Sequence, residues 1–294
     1  MFFTFLNLLN RHLSKSLFSI FAVSICLSCH VALSATMQTN VYQTSSKKYS
    51  ARHWIKNGQS KYNRAKYERA VKAYNKAIAC YPNYFEAWDG LGNALYCTGS
   101  YDMAIQAYDK ALSINPKSNA TWVNKGIALY KKGNYEEALK LYDTALEIDP
   151  KLAITWYNKG IALLALNRYN EALQVFEKAI GINPRDDMAW HGKGYVLIRF
   201  ARYEEALQLF NKALQANPNR GWAWNNMGIT LNRLSMYNDA LKAFNKAIEI
   251  NPTSARAWHN KANTLYNLGK YEESMRTYNK AIELDPLLYA GINK

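Results

Sequence analysis

Residues 119–152 read NATWVNKGIALYKKGNYEEALKLYDTALEIDPKL. Apolar residues recur every three or four positions at Trp122, Gly126, Leu129 and Tyr130, then again at Tyr135, Ala138, Leu139, Tyr142, Ala145 and Leu146. Each set falls on one face of a helix, so the stretch holds two helices. Gly133 can close the first in a left-handed conformation, and Asn134 with Glu137 predicts a capping box opening the second. The turn between them is short, which makes the pair antiparallel. Pro150 ends the second helix because it cannot supply the amide the next turn needs.

The stretch is one of seven copies. All seven prolines of the 294-residue chain, Pro82, Pro116, Pro150, Pro184, Pro218, Pro252 and Pro286, stand 34 residues apart. Trp54, Trp88, Trp122, Trp156, Trp190, Trp224 and Trp258 keep the same period, and Trp222 falls outside it. With tryptophan at position 4 and proline at position 32, the repeats are 51–84, 85–118, 119–152, 153–186, 187–220, 221–254 and 255–288. Position 8 is glycine until Ala262, position 17 is tyrosine, position 24 is aromatic and position 27 is alanine. Small residues at positions 8, 20 and 27 let helix axes approach, with the tryptophans and the position 24 rings filling the space beside them. A period of this length means that no repeat buries its apolar face alone and each must stack on its neighbours.

These residues at fixed offsets resemble the tetratricopeptide repeat family, over about four-fifths of the chain. The resemblance implies an all-α fold, a right-handed α-solenoid of seven helix-turn-helix repeats. It also implies a concave groove lined by the first helices at positions 2, 5, 6, 9, 12 and 13. Position 6 carries Asn124, Asn158, Asn226 and Asn260, interrupted by Gly90 and Gly192. Asparagines there hold a peptide backbone in some relatives, since an amide both donates and accepts. The family's carboxylate clamp is not expected, because Ile55 and Gln59 stand where it needs lysine and asparagine. Position 7 departs from the family's usual leucine with Lys125, Lys159, Lys193 and Lys261; their stems can lie on apolar surface with the amines in water.

The groove is graded. Repeats three and four place Val123, Ile127, Ile154, Tyr157, Ile161 and Leu164 there, with positions 9 and 12 shared with packing. Repeats five to seven place His191, Tyr195, Arg199, Trp222, Asn225, Arg233, Arg256, His259 and Asn263, with no acidic residue among them. A protein or peptide ligand with an apolar middle and an acidic end suits that surface.

The net charge is +15, yet residues 47–76 hold ten cationic side chains against Glu68. Nucleic-acid solenoids need a basic stripe along the whole groove, so no nucleic acid is expected. The cationic end suits an acidic membrane surface or acidic partner, or is a solvated capping repeat. Arg11, His12 and Lys15 precede an uncharged run from Leu17 to Ala35, so residues 1–35 read as a signal peptide or membrane anchor. Residues 36–50 follow as a polar linker. Cys26, Cys29 and His30 spell the C-x-x-C-H of haem attachment, which supports an alternative reading as an anchored haem or redox protein. Cys80 and Cys97 are expected as free thiols, the first in the core and the second near an exposed helix end. No catalytic, metal-ligating or phosphate-binding constellation occurs, so neither enzyme activity nor a cofactor is expected. Residues 289–294 form a short tail without a polar capping helix, which predicts an apolar end around Met275, Tyr278, Ile282 and Leu284 and weak self-association. The sequence thus predicts a non-enzymatic scaffold, exported or anchored facing outside the cytoplasm, serving assembly of an envelope or membrane complex.

Overall fold

The computed structural model describes residues 45–286 together with Gln43. The expected leader with its C-x-x-C-H, and the short tail 289–294, lie outside the described residues. Among the described residues there is no strand, and no helix is long and apolar enough to cross a membrane. The chain divides into two compact units, one ending at Gly99 and the other starting at Ser100.

The first unit holds α1 over 45–63, α2 (Tyr67–Cys80) and α3 (Phe85–Cys97). Helix α1 starts inside the segment expected as linker. Cys80 and Cys97 are free and half-buried. The Cys97 thiol donates to the Tyr62 hydroxyl at 3.6 Å; that contact, with burial, pushes the hydroxyl up to about 12.

The second unit continues with α4 (Tyr101–Ile114), α5 (Asn119–Lys131), α6 (Tyr135–Ile148), α7 (Ala153–Ala165) and α8 (Tyr169–Ile182). It is completed by α9 (Asp187–Arg199), α10 (Tyr203–Ala216), α11 (Gly221–Arg233), α12 (Tyr237–Ile250), α13 (Ala255–Asn267) and α14 (Tyr271–Leu284). From α5 onward the helices pair within repeats, and each pair packs on the next.

Each turn within a repeat passes through a left-handed residue at position 15. Gly99, Gly133 and Gly269 have φ of 79°, 87° and 75°, but Ala65, Asn167, Ala201 and Ser235 adopt φ of 53° to 60° at the same place. The turn also removes the expected capping box. The Asn134 amide donates to Leu129 O at 3.0 Å and so is not free for Glu137, and the Asn134 side chain makes no cap bond. Side-chain caps occur instead on first helices, at Ser118, Asp186 and Ser254.

The core is the file of position 24 rings. Tyr142, Phe176, Phe210 and Phe244 are at most 1% exposed, and the position 20 alanines beside them are fully buried. A Cβ on Gly160 would come within 2.5 Å of the Phe176 ring, which is why position 8 of that repeat is glycine.

The tryptophans are not core residues as expected. They are half-buried, and from Trp88 to Trp258 each in-register indole N–H donates to the carbonyl of the proline six residues earlier, at 2.9 Å for Trp122 to Pro116, Trp156 to Pro150, Trp224 to Pro218 and Trp258 to Pro252. That bond ties each repeat to the one before it, so the two residue types keep one period. The position 7 amines are likewise not simply solvated. Lys125 pairs with Asp109, Lys159 with Asp143 and Lys193 with Glu177, each across a repeat boundary.

Candidate peptide-binding cleft

Helices α9, α11 and the start of α13 present side chains at positions 2, 5, 6 and 9, which helical spacing gathers on one face. In the second unit they line a cleft of about 450 Å³, formed by His191, Tyr195, Trp222, Asn225, Asn226 and Arg256 with Ile250, Asn251 and Ser254 from the end of repeat six. No acidic residue is among those lining it.

The His191 and Trp222 rings lie 3.9 Å apart between centroids. Asn226 Nδ2 donates to His191 Nε2 at 2.6 Å, which leaves the histidine proton on Nδ1. Burial pushes His191 down to about 4, so it is neutral at physiological pH. Asn260 Nδ2 donates to Asn225 Oδ1 at 3.0 Å, linking repeats six and seven. Asp187, one turn before His191, is ion-paired with Arg220, whose guanidinium lies 5.7 Å from the Trp222 ring centroid. That pairing neutralises the acidic group beside the cleft. Arg256 is exposed and makes no ion pair among the described residues. The cleft therefore offers an aromatic wall, fixed amides and one uncompensated cation. It can hold an apolar or planar group beside a carboxylate.

Of the residues expected in the groove, Tyr195, Trp222, Asn226 and Arg256 come together here, and Asn260 braces Asn225. Asn158 lies in repeat four with Nδ2 buried and unpartnered, while Asn124 is half-buried in repeat three. Tyr157 packs toward Phe176 at 6.0 Å, and burial pushes its hydroxyl up to about 12. Val123 was expected at the groove but is 6% exposed and belongs to the core. Ile127, Ile161 and Leu164 pack on the same cluster, whereas Ile154 is 54% exposed. Arg199 sits over the Tyr169 ring at 5.3 Å, and Arg233 is exposed at the end of α11; neither lines the cleft. The asparagine series breaks at Gly192 because a Cβ there would lie 2.5 Å from Phe176.

Sequence reasoning missed the Asp187–Arg220 pair and the wall supplied by Ile250, Asn251 and Ser254. The pair joins positions 1 and 34 of one repeat, a separation of almost one period, and a search for opposite charges at that separation finds it. Among the described residues no group of histidine, cysteine and carboxylate side chains could hold a metal ion.

Three family models described as tetratricopeptide repeat match the chain, over residues 118–185, over 55–119 and 157–220, and over 221–254 and 255–286. No curated relative matches it. Among solved structures, the chain resembles YrrB, described as a TPR protein with an unusual peptide-binding site, at 26% identity and a TM-score of 0.51 over 65% of this chain and 98% of that one. PilF of Pseudomonas aeruginosa matches at 19% identity and a TM-score of 0.64, over 74% of this chain and 99% of PilF. The Cut9–Hcn1 assembly of APC/C matches at 17% identity and a TM-score of 0.67 over 73% of this chain, which spans 42% of that partner's length. At these identities the last two show the fold alone.

Proposed function

The chain belongs to the tetratricopeptide repeat family, a family of protein-interaction scaffolds, and on that premise we propose that it binds an acidic peptide segment of a partner protein in the cleft of repeats five to seven. The observation carrying this reading is that cleft's composition, in which Trp222, Tyr195 and Arg256 surround fixed amides with no acidic residue. A carboxylate beside Arg256 and an apolar side chain against Trp222 are complementary to it. The described unusual peptide-binding site of YrrB supports a peptide as the ligand class. The protein works by holding a partner, without chemistry of its own, in an exported or membrane-anchored complex. The uncharged run Leu17–Ala35 supports that location.

Selection from a displayed random-peptide library on the parent and on Trp222→Ala tests the reading. The parent should enrich peptides that pair acidic with apolar residues, and Trp222→Ala should lose them by at least tenfold. Equal enrichment by both proteins contradicts the placement of the site.

A further inference from the structure

Position 16 is the residue just before the second helix, and positions 19 and 22 follow at three-residue spacing on that helix's exposed side. In repeats four and five, positions 16 and 19 form bidentate pairs, Arg168 with Glu171 and Arg202 with Glu205, each bond 2.6 or 2.7 Å long. In repeat six, positions 19 and 22 pair as Asp239 with Lys242 at 2.9 Å. Repeat one reverses the acidic member: its three positions are Lys66, Arg69 and Lys72, all exposed. None makes an ion pair among the described residues. Like charges at this spacing on a helix destabilise it slightly, so an anionic partner gains whatever the face itself lacks.

We propose that this outer face of α2 docks on an anionic lipid bilayer. The face is one helix of 14 residues, about 20 Å long, and belongs to one end of the repeat series. A nucleic acid would need the cations continued in later repeats, where position 19 becomes Glu137, Glu171, Glu205, Asp239 and Glu273. Further exposed cations, Lys47, Lys48, Arg52, Lys56 and Arg64, precede Lys66, and Tyr49 is 79% exposed among them, an amphipathic ring of the kind found at headgroup level. The uncharged run Leu17–Ala35, expected as a signal peptide or membrane anchor, ends twelve residues before Lys47, and as an anchor it would hold this end of the chain near a membrane.

Cosedimentation of the full chain with vesicles tests the proposal. Phosphatidylcholine vesicles, with and without phosphatidylserine, are compared for the parent, for Lys66→Glu/Arg69→Glu/Lys72→Glu and for the same triple change to Gln. The parent should bind the serine-containing vesicles at least tenfold more tightly than the neutral ones, with that margin shrinking in high salt. The Glu triple should lose the margin, the Gln triple should lose part of it, and neutral-vesicle binding should stay constant. Helical circular dichroism confirms that the variants fold, since all three residues are exposed. Equal binding of parent and Glu triple to anionic vesicles overturns the proposal. So does a triple-sensitive affinity for single-stranded RNA without vesicle binding, which would make the occupant a nucleic acid.

Discussion

Repeats three and four differ from repeats five to seven although both are built on the same ring file. In the earlier pair, position 5 is the buried Val123 and the half-buried Tyr157, and Asp109 and Asp143 anchor the position 7 lysines across repeat boundaries. In the later group, position 5 becomes His191, Asn225 and His259, position 2 becomes Trp222 and Arg256, and Met227 replaces the lysine of repeat six. The ion-paired series runs as far as Lys193 with Glu177, on the helix that already gives His191 and Tyr195 to the cleft, and is interrupted at Met227. Residues that hold the period stay fixed, and the positions free of that duty vary, so the binding surface is found where repeats differ.

The largest effect should come from the shared scaffold. Phe176→Ala empties a fully buried site and should cost about 3 to 5 kcal/mol, with neighbouring repeats losing amide protection together because coupling is nearest-neighbour. Chemical denaturation with hydrogen exchange measures both. Loss confined to repeat four would break the comparison, since the scaffold would then not be shared.

Next comes acid, which should act on the later repeats. His191 in the unfolded chain takes its proton near pH 6.5, whereas in the folded chain it does so near 4. Between those values the unfolded state holds more protons, so stability falls as pH drops through the interval, by about 3 kcal/mol in all. Denaturation of the parent and His191→Gln at pH 7 and pH 4.5 isolates that contribution, and the variant should be the less acid-sensitive. Equal sensitivity would mean that the cleft histidine is not desolvated.

Trp156→Ala removes a half-buried ring and the bond to Pro150, so it should cost about 2 to 3 kcal/mol, less than Phe176→Ala. A cost equal to that of Phe176→Ala would restore tryptophan to the core. The smallest change is a gain. Ala201→Gly relieves a left-handed alanine with φ of 56° and should raise stability by up to about 1 kcal/mol, against a partial entropic offset.

Most of the fold was legible because the constraints repeat. The rings, the small residues facing them and the prolines are sterically compelled in every copy, and seven copies average out local exceptions. Position 15 was legible only where it is glycine; Ala65, Ala201 and Ser235 take the same conformation because the surrounding turn imposes it. The capping box failed because residue types at the right spacing do not reveal that the Asn134 amide is already engaged by Leu129. The cleft was half legible. Helical spacing placed Trp222, Tyr195, Asn226 and Arg256 on one face, but its wall comes from the preceding repeat's turn, which no single-helix argument reaches. Val123 was misplaced because an apolar residue at a groove position serves packing equally well.

The central claim is that the cleft of repeats five to seven selects an acidic ligand through an uncompensated Arg256. Paired titrations of one apolar-anchored peptide, bearing either glutamates or lysines at its end, against the parent and Arg256→Glu test it most directly, with Trp222 fluorescence as the reporter. The parent should prefer the glutamate peptide by at least tenfold, and Arg256→Glu should abolish or invert that preference while the apolar anchor still quenches Trp222. An unchanged preference in Arg256→Glu would contradict the account.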